Sequence, residues 1–255
     1  MPSLAAPARL SLPPVTMSRP VALFLDLDGV LAPLAETPDA VLSDPRRTRA
    51  VQALDQALAG RLAVVSGRTL VEIDRIAGGA APAAAGVHGL VRRRRDGSIV
   101  EIEPSAAVID AVSAFRDFAA AHPGVVVEDK TVSAGLHYRA KPGVEAEALA
   151  LAHALAERTG LVAQPGKLVV ELKTPGADKG TAVAAFMAEP PFLGAMPIMV
   201  GDDLTDEAGF RAAEALGGFG ILVGDPRETA ARHGLPDVAD VLTWLEALAL
   251  EGQAA

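Results

Sequence analysis

The sequence contains no cysteine, which excludes a disulfide framework, a thiolate nucleophile and a metal site with thiolate ligands. It also lacks any apolar run near the roughly 18 residues that a membrane-spanning helix requires. Positive charge is in deficit, because 32 aspartates and glutamates outnumber 23 lysines and arginines. Nucleic acids bind clustered cations and are therefore excluded as the main partner. We expect a cytoplasmic monomer that binds neither membrane nor nucleic acid.

The first 20 residues are rich in proline and contain no apolar core of the length that a signal peptide needs. We interpret residues 1–20 as a disordered leader and Met17 as an alternative translation start. Half of all residues are apolar, which is enough for the remaining chain to bury a globular core.

Short apolar runs bounded by turn residues alternate with helical patterns along the chain. Such runs are typical of strands buried on both faces of a parallel sheet, and their alternation with helices predicts right-handed crossovers. We therefore predict an α/β fold with a doubly wound, mainly parallel, Rossmann-like core sheet. The predicted strands include residues 21–25, 62–65, 197–200 and 219–223.

The rhythm changes in the middle of the chain. Asp96-Gly97 marks a hairpin turn, and helices and paired strands follow, with one strand predicted at 167–172. We predict that residues 21–103 and 174–255 form the core domain. Residues 104–173 are predicted to form an inserted α/β domain.

Polar residues follow several predicted strands or begin the next helix, at the sheet edge where open parallel sheets bind ligands. Each has a plainer interpretation, because aspartates form turns, a serine caps a helix and a lone lysine is solvated. Together, several carboxylates at one edge require a divalent cation, and ligation by oxygen alone favours Mg²⁺ over zinc. The set supplies what phosphoryl transfer needs. Its members are Asp26, Asp28, Ser66, Lys179, Asp202 and Asp203.

Four short motifs resemble, in order and spacing, those of the haloacid-dehalogenase (HAD) superfamily of phosphatases. The resemblance covers the chain from about Val21, and the inserted domain resembles the larger α/β cap of that superfamily. The motifs are Asp26-Leu27-Asp28-Gly29-Val30, Ser66-Gly67-Arg68, Lys179-Gly180 and Gly201-Asp202-Asp203.

This resemblance implies a covalent phosphatase mechanism. Asp26 would attack phosphorus and become an aspartyl-phosphate. Asp28 would protonate the departing sugar oxygen and then act as a base toward water. Ser66 and Lys179 would hold the phosphoryl oxygens.

The resemblance also implies the Mg²⁺ ligands. They would be Asp26, the backbone carbonyl of Asp28, and Asp202. Asp203 would support the site through water or through Lys179.

Further residues are similar to those of trehalose-6-phosphate phosphatases. The similarity lies in Leu136-His137-Tyr138-Arg139, in Gly166-Lys167-Leu168-Val169-Val170-Glu171 and in the extended motif over 201–207. It implies that the cap selects the sugar, through Lys167 and Glu171 on one face of a strand and through His137 and Arg139 on one face of another. Solvated ion pairs are the alternative interpretation. The implied substrate-binding set is Asp26, Leu27, Asp28, Ser66, Gly67, Arg68, His137, Arg139, Lys167 and Glu171.

Two features stand outside this resemblance. The basic run over 92–95 lies beside the Asp-Gly turn, and we interpret it as solvated. His88-Gly89-Leu90-Val91 stands where related sequences commonly carry His-Gly-Ala-Glu, so one acidic contact near the cap hinge is missing.

The predicted activity is hydrolysis of the phosphosugar trehalose 6-phosphate to trehalose and phosphate, with Mg²⁺ as cofactor. The same chemistry on sucrose 6-phosphate, mannosyl-3-phosphoglycerate or glucosylglycerol phosphate would use the same four motifs. A phosphoacceptor signalling module would need only roughly 120 residues and would give Asp28 no role. A non-catalytic sugar-phosphate sensor would not need both Asp26 and Asp28.

Overall fold

The computed structural model describes residues 9–35, 40–101, 103, 105–166 and 168–254, and the chain divides into two compact units. One unit comprises Met1–Val100 with Asp178–Ala255, and the other is Glu101–Ala177. The role of the second unit as a substrate-selecting cap stays a prediction.

An eight-stranded sheet forms the centre of the first unit. Its order is β12-β11-β10-β1-β2-β3-β4-β5, with parallel pairing from β12 to β3 and antiparallel pairing between β3 and β4. The predicted doubly wound, mainly parallel sheet is confirmed. The strands are β1 (Val21–Leu25), β2 (Leu62–Val65), β3 (Ala83–Gly86), β4 (Val91–Arg93), β5 (Ile99–Glu101), β10 (Met196–Gly201), β11 (Phe219–Val223) and β12 (His233–Leu235).

Helices cover both faces of this sheet because successive side chains of a strand point to opposite faces. In β1, Leu23 and Leu25 belong to one apolar cluster, and Ala22 and Phe24 belong to another. The helices are α1 (Pro45–Ala57), α2 (Leu70–Ala77), α5 (Lys179–Met187), α6 (Glu207–Ala215) and α7 (Val238–Ala254), with 3-10 turns at Val87–Gly89 and Leu204–Asp206.

The second unit packs two helices on a four-stranded antiparallel sheet of order β6-β7-β9-β8. No helix within the described ranges combines the length and apolarity needed to cross a membrane. The elements are α3 (Ala106–Ala121), β6 (Val126–Asp129), β7 (Ser133–His137), α4 (Glu145–Thr159), β8 (Val162–Gly166) and β9 (Val169–Lys173), with a 3-10 turn at Pro142–Val144.

The strand predicted at 167–172 was placed too early. Strand β9 begins at Val169, because Leu168 adopts a left-handed φ of 61° in the turn between β8 and β9. Lys167 lies outside the described residues. That Lys167 shares a strand face with Glu171 stays a prediction.

Within the predicted disordered leader, Ser11 and Pro14 contact the rest of the first unit, and residues 1–8 lie outside the described part. Ser11 forms a parallel bridge with His233 of β12, and its carbonyl accepts the N–H of Gly234 at 3.0 Å. The Trp244 indole N–H donates to the Pro14 carbonyl at 3.0 Å. Carbonyls of a proline-rich segment can still accept hydrogen bonds from an open strand edge.

The sequence suggested that the basic run over 92–95 is solvated, but the structure shows otherwise. Each arginine forms an ion pair with an acid distant in the chain, and Arg92 is buried. The run therefore fastens the β4–β5 region to the core. The pairs are Arg92 and Arg94 with Glu189, Arg93 with Asp74, and Arg95 with Asp55.

Candidate active site

Three carboxylates meet at the carboxyl edge of the large sheet. Asp26 follows β1 and Asp202 follows β10, and these two strands are parallel neighbours, so their ends bring the two acids together. Asp206 joins them from the 3-10 turn after β10. One oxygen from each of the three carboxylates lies within 4.8 Å of the others.

Lys179 is the cation at this edge. It is the first residue of α5, behind the N-cap Asp178, and only 2% exposed. Its Nζ lies 2.9 Å from Asp26 Oδ2 and 2.6 Å from Asp206 Oδ1. Burial alone would lower the pKa of Lys179, but attraction by Asp206 and Asp26 outweighs it and raises the pKa. The amine is therefore charged at neutral pH.

One lysine does not neutralise three acids. Burial, together with repulsion from Asp206 and Asp202, raises the pKa of Asp26 well above its ordinary value despite the lysine. Burial and the Asp206 charge raise the pKa of Asp202 to about 7. A site that holds excess negative charge away from water favours a bound cation. Buried carboxylate oxygens without nitrogen or sulfur donors fit a hard divalent ion.

Asp206 is the member of this cluster that the sequence interpretation missed. In the described part of the chain, Asp206 rather than Asp203 reaches Lys179. Asp206 Oδ2 also accepts the backbone N–H groups of Asp202 and Asp203, both at 3.0 Å. The exposed Asp203 side chain accepts the N–H of Leu204 at 2.6 Å. The only sequence signal for Asp206 was its position as the third acidic residue of the 201–207 motif.

Asp28 faces Arg68 of the second motif. The guanidinium donates twice to the Asp28 carboxylate, from Nε and Nη2, each at 2.8 Å. Its Nη1 donates to Glu72 at 3.1 Å, and Glu72 in turn completes the capping box with Thr69 at the start of α2. Paired hydrogen bonds of this kind fix the plane of a carboxylate, so Arg68 sets the orientation of Asp28.

The backbone around the first motif approaches Asp202 closely. Gly29 has a φ of 75°, and a Cβ there would overlap the Asp202 carboxylate. The Leu27 side chain is fully buried in the core, so only its backbone can face a substrate. The first and fourth motifs therefore meet in the structure.

The second motif lies beneath a strained segment. Ser66 is buried, and its carbonyl accepts the N–H of His88 at 2.9 Å. Val87 and His88 have left-handed φ values of 49° and 55°, which are unfavourable for residues with a Cβ. A Cβ on Gly67 would lie 2.6 Å from the His88 ring. The glycine therefore leaves room for the imidazole.

In the second unit, polar side chains form a row across one sheet face. Glu128 and Glu171 flank Gly135 in register. Glu171 is buried and accepts the Ser133 hydroxyl at 2.6 Å. The Lys130 Nζ lies 3.5 Å from Glu128 and 3.6 Å from Glu171, so it sits between the two carboxylates.

The residues predicted around His137 divide differently. His137 Nε2 lies 2.8 Å from Glu128 Oε2 and so belongs to this row. Strand β7 ends at His137, and Arg139 lies in the following turn. The prediction that His137 and Arg139 share a strand face was wrong. The sequence interpretation also missed that Glu128 and Lys130 belong to this row. Charged residues at the end of a strand are common, so the sequence offers no signal for them.

The overall fold is that of HAD-superfamily phosphatases. A phosphatase of this superfamily from Bacteroides thetaiotaomicron superposes with a TM-score of 0.59 at 19% identity, over 91% of this chain and 94% of that one. The C-terminal domain of C. albicans trehalose-6-phosphate phosphatase superposes with a TM-score of 0.77 at 21% identity, over 91% and 92% of the two chains.

The sequence defines a narrower group within this superfamily. The chain belongs to the trehalose-phosphatase family, whose profile matches residues 24–234. It is 40% identical over 233 residues to the trehalose-6-phosphate phosphatase of Escherichia coli (strain K12), covering 90% of this chain and 87% of that protein. Superfamily membership implies a divalent metal, for which the acidic cluster offers a place.

Proposed function

We propose that this protein hydrolyses trehalose 6-phosphate to trehalose and phosphate, with Mg²⁺ as its metal. The observation that carries the proposal is the cluster of Asp26, Asp202 and Asp206 around buried Lys179, in a chain of the trehalose-phosphatase family. The E. coli relative bears the name of this activity.

Asp26 is the proposed nucleophile. Its carboxylate attacks phosphorus, a bond forms between Asp26 and the phosphoryl group, and the bond to the sugar oxygen breaks. Asp28 gives its proton to that oxygen, because a sugar alkoxide is a poor leaving group. Asp28 then takes a proton from the water that hydrolyses the aspartyl-phosphate. Lys179 and the buried Ser66 are the proposed donors to the phosphoryl oxygens.

Asp26, Asp202 and the Asp28 backbone carbonyl would hold Mg²⁺. The ion supplies a Lewis acid that offsets charge on the transferring phosphoryl group. Both Asp206 oxygens already accept hydrogen bonds, so Asp206 holds Lys179 and the Asp202–Asp203 backbone in place. Asp203 is proposed to support the site from its exposed position.

Recognition of the sugar is assigned to the second unit. Glu171, His137 and Arg139 are the proposed hydroxyl partners, together with Lys167. A row of charged groups on a sheet face suits a ligand with many hydroxyls, because each hydroxyl can both donate and accept. Arg68 and the backbone of Gly67 are assigned to the phosphate end.

The activity is tested by phosphate release from a panel of phosphosugars. The panel contains trehalose 6-phosphate, sucrose 6-phosphate, mannosyl-3-phosphoglycerate and glucosylglycerol phosphate, each with Mg²⁺ or with EDTA. We expect turnover of trehalose 6-phosphate with Mg²⁺ and none with EDTA. Preference for another sugar would reassign the substrate. If no phosphosugar of the panel is hydrolysed, the proposal that the protein is a phosphosugar phosphatase is rejected.

Glu171→Ala is expected to lower kcat/KM for trehalose 6-phosphate by at least about tenfold, because it removes a buried acceptor from the sugar end. Hydrolysis of p-nitrophenyl phosphate, which has no sugar, should stay within about twofold. Glu157→Ala is the matched control, since Glu157 is exposed on α4 of the same unit. Equal losses on both substrates would remove Glu171 from sugar recognition.

A further inference from the structure

The segment that follows β11 is tied to the start of α6 by one buried carboxylate. Glu207 accepts the Thr229 hydroxyl at 2.7 Å and the Ala230 backbone N–H at 2.8 Å. It also pairs with the Arg227 guanidinium. Removing a carboxylate from water requires such partners, and residues 227–230 supply them.

Arg227 extends this contact to the acidic edge. Its Nη2 donates to the backbone carbonyl of Asp203 at 2.8 Å, while the Asp203 N–H donates to Asp206. The backbone of Asp203 is thus held from both sides. The preceding residue, Asp202, donates its own backbone N–H to Asp206. The Asp202 carboxylate therefore projects from a backbone that Asp206 and Arg227 both hold by hydrogen bonds.

We propose that Arg227 is a positioning residue for Asp202. The hydrogen bond from Arg227 to the Asp203 carbonyl then sets how tightly the cluster of Asp26, Asp202 and Asp206 binds a divalent cation. This inference rests on the proposed function, in which Asp202 is a metal ligand. Arg227 contacts neither the metal nor the phosphoryl group in this role. It acts by limiting the rotation of the Asp202–Asp203 backbone.

The direction in which metal affinity changes when Arg227 is removed distinguishes a positioning role from a purely electrostatic one. A positive charge near a cation site repels the cation, so deleting an arginine for its charge alone would tighten metal binding slightly. Loss of positioning would weaken it. Arg211 provides the control, because its Nη1 lies 4.0 Å from Glu207 and its side chain is 65% exposed. Arg211→Ala removes the same charge near the same carboxylate.

The experiment measures Mn²⁺ binding to the substrate-free protein by electron paramagnetic resonance. Arg227→Ala is expected to raise the Kd at least about fivefold, and Arg211→Ala is expected to leave the Kd unchanged or to lower it. Arg227→Lys keeps the charge without the two-branched contact and should give an intermediate Kd. Saturating Mn²⁺ should restore the kcat of Arg227→Ala to within about twofold of wild type.

The outcomes are distinguishable. If the wild type binds Mn²⁺ and Arg227→Ala binds it equally well, the inference is overturned while the proposed function stands. If the wild type binds no Mn²⁺, the metal assignment fails and the inference fails with it. Thermal unfolding in EDTA identifies a folding defect. Should Arg227→Ala unfold, the Kd of Arg227→Lys decides, and a value equal to wild type overturns the inference.

Discussion

Asp26→Asn is expected to lower kcat by at least about 10⁴-fold while leaving the protein as stable as the wild type. The amide has the shape of the carboxylate but cannot attack phosphorus. The substitution also removes one negative charge from a cluster in which burial, together with repulsion from Asp206 and Asp202, raises the pKa of Asp26. Lys179 keeps Asp206 as a partner. We therefore expect the free energy of unfolding to change by less than about 1 kcal/mol.

The measurement is phosphate release from trehalose 6-phosphate, with urea unfolding on the same samples. The protein must be freshly purified, because deamidation would restore the acid. Asp237→Asn is the matched control: Asp237 accepts N–H groups at the start of α7, and asparagine caps helices equally well. Activity above about 1% of wild type in fresh Asp26→Asn would contradict a covalent mechanism.

Lys179→Met is expected to destabilise the first unit by about 3–5 kcal/mol and to abolish turnover. Methionine fills the volume of the lysine stem but supplies no charge. Asp26 and Asp206 would then lie buried without their cation, which is the costly way to break a buried ion pair. The free energy of unfolding is measured in urea with EDTA present, so that no divalent ion substitutes for the amine.

A double variant provides the control for this second prediction. If the loss arises from uncompensated acids, Asp26→Asn combined with Lys179→Met should recover about 1–2 kcal/mol relative to Lys179→Met alone. A loss below about 1 kcal/mol in the single variant, or strict additivity in the double variant, would show that Lys179 does not balance these charges.

The positions of the core strands could be predicted because their signals are local. Strands β1, β2 and β11 have the bounds that their apolar runs predicted. Burial on both faces leaves no polar residue inside such a strand. Asp26 and Ser66 are the first polar residues after β1 and β2. Parallel pairing then places these end residues at one edge of the sheet, so the sequence pattern alone predicts that they lie close together.

Asp206 could not be identified in the same way. An acid in the first turn of a helix is explained by the helix dipole alone, and the sequence gives no sign that its side chain turns inward. The structure shows it fully buried, with Lys179 on one oxygen and two backbone donors on the other. The backbone donors are local, whereas the packing of α5 against α6 brings Lys179 to Asp206.

Contacts between residues distant in the sequence explain why the basic run over 92–95 was interpreted wrongly. Arg92 and Glu189 are 97 positions apart, and no local pattern predicts their pairing. Strand ends were a second source of error, because the predicted alternation was carried past the true ends of β7 and β9. The left-handed turn at Leu168 begins at a residue type that rarely marks one.

The N-terminal segment along β12 has a consequence for how the protein behaves in concentrated solution. Strand β12 is an outer strand of the large sheet, and Gly234 and Trp244 each donate a hydrogen bond to this segment. A polypeptide translated from Met17 would lack both Ser11 and Pro14. In such a polypeptide the Gly234 N–H of the outer strand and the Trp244 indole N–H of α7 would lack these acceptors. Bare strand edges recruit other chains into shared sheets. Ser11 therefore shields this strand edge from such self-association.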